Sequence, residues 1–384
     1  MKRRTYESLF GQLSIPVLLS APDNIYYSIG FSTTARRPAQ IGLNVVLMTR
    51  EKTWFVFPEN WESLVKEQVD ESEVTLVPYQ KAAGELAGTI ARLLDDLGED
   101  GWEQQVVLGF EKDRLELELY LALGEALGEK GKTMRWQDIS SSLRRARLIK
   151  SGEEIQALRK SAQVAREAME YAKTILYPGK TEREIVAELE YFMRKKGSEG
   201  VPFTMKALSG ENAARTINLP GDRRIRSGDV VLLDFGAIID HYASDWTRSF
   251  AIGKADPQLA EMYNLVWRIE RECIGRICSG VSLGALMECA EDVLKDHPLR
   301  PWFHPYLGHS IGINSQEWPP IVPGAELALE ENMVITIEPG IYMPGVGGVR
   351  IEDEVLVTED GYEILTGLSE EGFVIGEEGG GMVW

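Results

Sequence analysis

Residues 230–250 read VVLLDFGAIIDHYASDWTRSF, and the two aspartates set into this apolar stretch govern the reading of the whole chain. Asp234 follows Val230-Val231-Leu232-Leu233, and Asp245 precedes Trp246. The β-branched and aromatic residues on both arms predict two strands, 229–238 and 242–252. A two-residue turn at Ile239-Asp240 would set Asp234 directly opposite Asp245, although Ile-Asp is not a favoured hairpin turn. Like charges opposed between apolar neighbours repel and are costly to bury. A divalent cation between them would convert that repulsion into coordination. The plainer alternative is an Asp245 that faces solvent or caps a turn.

A second pair of acids points the same way. Residues 333–342, MVITIEPGIY, end an apolar strand on Glu338, and residues 347–357, GGVRIEDEVLV, place Glu352 in another. Their separation suits adjacent antiparallel strands. Glutamate is depleted from apolar β runs, so two of them need compensation. Arg350 can supply part of it as an ion pair. His309, one of only four histidines, lies between Gly308 and Ser310 in what reads as a glycine-flanked turn. Adding its nitrogen to four carboxylates gives a donor set that suits manganese, cobalt, iron or zinc better than calcium.

Composition bounds the rest. At 384 residues the chain is long for one core, so two domains are expected. A net charge of −19 disfavours nucleic acid and anionic lipid as partners. No run approaches the roughly 20 apolar residues of a membrane span, and MKRRTYESLFGQLSIP lacks the apolar core of a signal peptide. A cytoplasmic location is therefore expected. The three cysteines, Cys273, Cys278 and Cys289, are odd in number and read as buried small side chains rather than a disulfide framework.

To about residue 140 the chain alternates strand-like and helix-like runs: Ile15–Leu19, a hairpin of Asn44–Met48 with Thr53–Phe57, a helix over Ala83–Leu97, a strand over Gln105–Phe110 and a helix over Leu115–Gly131. The boundary falls near Ser140-Ser141-Ser142, giving domains 1–142 and 143–384. Long helices are then expected over Gly152–Leu176 and Thr181–Lys196, and again over Gln258–Cys278 and Leu283–Lys295, with mostly strand and turn from Gly308 to Ile364. Gly179-Lys180-Thr181 and Gly280-Val281-Ser282 each follow one helix and open another. This echo suggests two related αβ halves.

Taken together these residues resemble the superfamily of prolidase, Xaa-Pro aminopeptidase and methionine aminopeptidase. The similarity covers about 145–366 and rests on Asp234-Phe235-Gly236-Ala237, Ser244-Asp245-Trp246-Thr247-Arg248, Glu338-Pro339-Gly340-Ile341-Tyr342 and Val349-Arg350-Ile351-Glu352-Asp353. Lys150-Ser151-Gly152-Glu153-Glu154-Ile155 resembles the family's entry to the catalytic domain. The N-terminal part is similar, more loosely, to the creatinase/prolidase accessory domain. The resemblance implies an α/β protein whose catalytic domain is the duplicated αβ "pita-bread" fold. It further implies two divalent metal ions on Asp234, Asp245, His309, Glu338 and Glu352, with Asp245 and Glu352 bridging. A hydroxide between the ions would attack the scissile amide of a short Xaa-Pro peptide, and Glu338 would handle the proton. Arg350 and Tyr342 are expected to help orient substrate. Family members are often homodimers in which the accessory domain narrows access to the site.

Two departures stand out. The family's histidine seven residues after the metal histidine is Gln316 here, which donates a hydrogen bond but carries no charge. Another, expected shortly before Asp222, is replaced within Ala214-Arg215-Thr216-Ile217-Asn218. His304 is a candidate to substitute. These losses keep a second substrate class open, a small amide cleaved at a C–N bond as by creatinase or ectoine hydrolase. A non-catalytic relative would lose metal ligands, and none is lost here. Gly308-His309-Ser310-Ile311-Gly312 resembles a serine-hydrolase elbow, but no histidine follows Ser310. Gly280-Val281-Ser282-Leu283-Gly284 lies between helices, which is the wrong context.

Overall fold

A computed structural model describes residues 4–11, 13–33, 44–80, 84–98, 104–367 and 373–376. It divides into two compact units, Met1–Arg147 and Leu148–Trp384.

The first unit runs α1 (Tyr6–Phe10), β1 (Val17–Leu19), α2 (Pro22–Ile29), β2 (Val45–Met48), β3 (Thr53–Pro58), α3 (Glu62–Gln68), β4 (Thr75–Tyr79), α4 (Glu85–Leu97), β5 (Gln105–Phe110), α5 (Leu117–Gly128) and β6 (Thr133–Asp138), and then enters α6 (Ser140–Leu148). Its six strands form one mixed sheet in the order β4-β3-β2-β1-β5-β6. The expected hairpin is β2–β3, closed by Thr49, whose N–H donates to the Lys52 carbonyl at 2.8 Å. Because β1 is buried throughout, it reads as a continuous apolar run rather than an alternating one. The helix expected over Ala83–Leu97 is α4, with Ala83 itself outside the described residues. Leu86, Ile90 and Leu94 of α4 and Leu119, Leu123 and Leu127 of α5 recur at helical spacing and join the strand residues in one core.

The second unit opens with α7 (Gly152–Ile175) and α8 (Glu182–Lys195), followed by β7 (Lys206–Ser209), β8 (Val230–Phe235), β9 (Ile238–Ile239), β10 (Tyr242–Ala243) and β11 (Trp246–Ile252). Then come α9 (Pro257–Ile274), α10 (Leu283–Leu294), β12 (Gly308–Ser310), β13 (Glu317–Ile321), β14 (Val334–Ile337), β15 (Gly340–Met343), β16 (Gly347–Arg350), β17 (Asp353–Thr358), β18 (Gly361–Ile364) and β19 (Val374–Ile375). One sheet has the order β19-β11-β8-β7 and a second the order β13-β12-β14-β17-β18. Helices α7 and α8 share a core with the first sheet, and α9 and α10 share one with the second. The repeated motif has a physical basis. Thr181 caps α8 and Ser282 caps α10, each accepting from a backbone N–H at N3, and each is preceded two residues earlier by a positive-φ glycine, Gly179 or Gly280. Two αβ halves are thus present, as the resemblance implies. Cys273 and Cys289 are buried in the second core, and all three cysteines are free. Among the described residues no helix is long and apolar enough to cross a membrane.

The register of the decisive hairpin differs from expectation. The turn is Asp240-His241, both at positive φ, and not Ile239-Asp240. Aspartate and histidine tolerate left-handed backbone, whereas β-branched Ile239 does not. The shift sets Asp234 opposite Thr247, and Gly236 lies at the level of Asp245. A Cβ on Gly236 would stand 1.7 Å from the Ser244 carbonyl oxygen, so only glycine permits this close pairing. Thr247 and Asp245 remain on one face by strand periodicity, which keeps both aspartates toward the same side.

Candidate metal centre

Each candidate ligand stands at a strand or at its end. Asp234 is in β8, between β7 and β11, with Lys206 directly across on one side and Thr247 on the other. Asp245 immediately precedes β11, and its N–H donates to Glu354 Oε1 at 2.6 Å. His309 lies in β12, a strand and not the turn expected, with a register shift between His309 and Ser310. Neighbouring Gly308, at φ +152°, lets that strand approach the Thr336 carbonyl, where a Cβ would fall within 2.0 Å. The pairings β14–β17 and β15–β16 keep one continuous register. Glu338 and Glu352 sit in the interval between them and so face each other across the break.

The side chains converge. One ligand atom each from Asp245, His309 and Glu352 lie within 4.8 Å of one another, all three residues buried. His309 Nε2 is 3.2 Å from Glu338 Oε1 and 3.8 Å from Asp245 Oδ2. Its other nitrogen, Nδ1, is 3.0 Å from the Ser310 carbonyl, an arrangement that leaves Nε2 as the coordinating atom. Asp234 belongs to the same floor but is held by Arg350 and Lys206. Arg350 also donates from Nε to Thr247 Oγ1 at 3.0 Å and from Nη1 to the Tyr342 hydroxyl at 3.1 Å. The structure therefore makes Arg350 a partner of the carboxylates, with Tyr342 beside it.

Electrostatics show what this arrangement lacks. Burial, reinforced by the charges of Glu338 and Asp234, pushes Glu352 up to about 8. Asp245 is raised by burial and by Glu352, Asp234 and Glu338. Burial opposes the charged form of His309, but its hydrogen bond to Glu338 and the charges of Glu338 and Glu352 outweigh this and raise it. Glu352 Oε2 accepts from Thr247 Oγ1 at 2.6 Å, whereas Oε1 is buried with no hydrogen-bond partner. A buried carboxylate oxygen without a donor, among mutually repelling acids and an inward imidazole nitrogen, fits a divalent cation.

The remaining candidates take lesser places. Gln316 donates to the Tyr306 hydroxyl at 2.7 Å. His304 is exposed and stacks on Tyr306, with ring centroids 6.2 Å apart, and its backbone N–H donates to the Gly340 carbonyl at 3.2 Å. Tyr306 is pushed up to about 12 by burial, with Glu338, Glu352 and Asp245 adding to it, and its ring centroid lies 6.3 Å from that of His309. Trp246 is buried in the core and donates to Asp353 at 3.0 Å. Ser310 is buried in β12 with its Oγ hydrogen-bonded to Lys150 Nζ at 2.9 Å and to the Val334 carbonyl at 3.2 Å, so it is no nucleophile elbow. Ser282 is a helix cap. Thr247, Glu354 and Lys206 are the supporting residues that sequence reasoning missed. Thr247 stood inside a quoted motif, whereas no sequence signal distinguished Lys206.

A buried group of carboxylates and one imidazole on paired strands of a duplicated αβ domain defines a metal-dependent hydrolase class. The chain belongs to Metallopeptidase family M24, whose pattern matches residues 156–359, and the Creatinase/Prolidase N-terminal domain matches residues 16–149. It is 31% identical to the Xaa-Pro dipeptidase of Pyrococcus furiosus over 92% of this chain and 94% of that one. Among solved structures it resembles an Xaa-Pro dipeptidase from Bacillus anthracis, with TM-score 0.83, 31% identity and 94% of each chain covered. It also resembles an X-Pro aminopeptidase from Thermotoga maritima, with TM-score 0.81, 27% identity, and 94% and 98% covered.

Proposed function

We propose that this chain is an Xaa-Pro dipeptidase that works with two divalent ions, manganese being the first candidate and cobalt, zinc and iron the others. Asp234, Asp245, His309, Glu338 and Glu352 would hold them, and the orphaned, buried Glu352 Oε1 is the observation that carries the reading. When bound, such ions lower the pKa of a water and polarise a carbonyl oxygen. Glu338, part-buried beside His309, would take up and return the proton. Arg350 and Tyr342 hold the Asp234 side and offer donors to a substrate carboxylate. Tyr306, fixed by Gln316, presents a neutral hydroxyl in the role that the missing histidines fill in relatives. Residues 1–142 would form the accessory domain and 143–384 the catalytic domain of a cytoplasmic homodimer acting on short peptides.

The test is hydrolysis of Xaa-Pro dipeptides and Xaa-Pro tripeptides by metal-stripped protein, before and after adding Mn²⁺, Co²⁺ or Zn²⁺. Metal-restored cleavage that prefers dipeptides is the expected result. Preference for the longer peptides would make it an aminopeptidase, and cleavage of small cyclic amides alone would refute peptide specificity.

A further inference from the structure

The carboxylates of the centre do not stand in equivalent surroundings. Asp245, Glu338 and Glu352 face His309 and one another. Asp234 instead meets two protein cations on the same oxygen, Oδ2: the Arg350 guanidinium and Lys206 Nζ, the latter at 2.8 Å. Backbone pairing puts the lysine there, since Lys206 is the direct cross-strand partner of Asp234 in the β7–β8 ladder. The two cations differ in how firmly they are held. Arg350 is buried and hydrogen-bonded to Thr247 and Tyr342 as well. The Lys206 side chain is 24% exposed and has Asp234 as its one ion-pair partner among the described residues. Four carboxylates facing these two cations leave the ligand set with two formal negative charges, the amount that one divalent ion balances.

We propose that Lys206 is a built-in competitor for the cation at Asp234. The centre takes one divalent ion tightly at Asp245, His309, Glu338 and Glu352, and a second engages Asp234 only by displacing the Lys206 ammonium. Singly tethered and partly exposed, the lysine swings out, whereas Arg350 stays. The second ion therefore binds more weakly than the ligand set alone would allow, and Lys206 sets the concentration at which the centre fills. This inference rests on the metal reading above and adds to it the part that Lys206 plays at Asp234.

The test is calorimetric titration of the metal-stripped full chain with Mn²⁺, with bound metal counted by mass spectrometry, for wild type, Lys206→Met, Lys206→Gln and Lys206→Arg. Wild type should show two unequal steps. Either neutral variant should tighten the second step at least about tenfold, or about 1.4 kcal/mol, and leave the first within about twofold. Lys206→Arg should keep the wild-type inequality. Having two neutral variants guards against one that misfolds, which circular dichroism would reveal. A second step unchanged in the neutral variants, or equal steps in wild type, overturns the proposal and leaves the metal centre standing. No Mn²⁺ uptake by wild type overturns both.

Discussion

Glu111 of the N-terminal unit and Glu352 of the C-terminal unit are both fully buried glutamates, and they solve that burial in opposite ways. Glu111 Oε2 accepts from the backbone N–H groups of Ser20 and Ala21, at 2.5 and 3.0 Å, and Oε1 accepts from Asn24 Nδ2. Ala21 is the N-cap of α2 and supplies no side-chain cap, so Glu111 serves the start of that helix from a distance in sequence. Both its oxygens are satisfied by the protein. Glu352 has one oxygen satisfied by Thr247 and the other by nothing, and the charges of Glu338 and Asp234 bear on it more than those of Arg350 and His309. Burial of an acid is thus no sign of a site by itself. The sign is burial of an unmet acceptor among further acids and an imidazole nitrogen, a set that takes up protons when metal-free and that a divalent cation relieves.

The comparison breaks most visibly when each acid is neutralised. Glu352→Gln or Asp245→Asn should lower kcat/KM by about a thousandfold or more, roughly 4 kcal/mol, with loss of bound metal. Metal analysis beside the kinetics checks this. Glu111→Gln should leave metal content unchanged and instead cost about 1–3 kcal/mol of stability, since an amide keeps one acceptor oxygen where two serve the donors of Ser20, Ala21 and Asn24. Denaturant unfolding measures that cost. Were the Glu111 variant to lose metal, the division between the two acids would collapse.

Acidity sharpens the contrast further. Burial pushes Glu111 up to about 7 and Glu352 up to about 8, against an ordinary glutamate value of 4.5. Between the ordinary and the raised values the folded chain binds more protons than the unfolded one, so stability falls as pH rises through that window. Metal-free protein should therefore lose stability from pH 4.5 toward 8, by up to about 1.4 kcal/mol per pH unit for each acid. Saturating Mn²⁺ should remove the Glu352 part and leave the Glu111 part, so thermal scans with and without metal separate them. A slope identical in both conditions would mean that no cation meets Glu352. The smallest effect is expected from Tyr306→Phe, about tenfold or less in kcat/KM with metal content intact, because it removes one neutral donor.

How much of this was legible depended on which physical signal each residue left. Asp234, Asp245, Glu338 and Glu352 were legible because acids inside apolar strand patterns contradict their surroundings. The pairing of Glu338 with Glu352 followed from two adjacent antiparallel runs. The hairpin register was misread because turn chemistry favours Asp240-His241, whereas the reading centred the loop one residue earlier. His309 was expected in a turn because its glycine neighbour looked like a turn residue. Gly308 serves instead to bring two backbones close. Glu111 and Lys206 left no signal, since each matters only through partners that the fold supplies, Ser20 and Ala21 in one case and Asp234 in the other.

The most direct measurement is anomalous diffraction at the manganese edge from crystals of the metal-stripped protein soaked in Mn²⁺. The account predicts a strong peak among Asp245, His309, Glu338 and Glu352, with a weaker one at Asp234 that grows at higher Mn²⁺, and no peak near Glu111. A map without density between His309 and Glu352 would contradict the account at its centre.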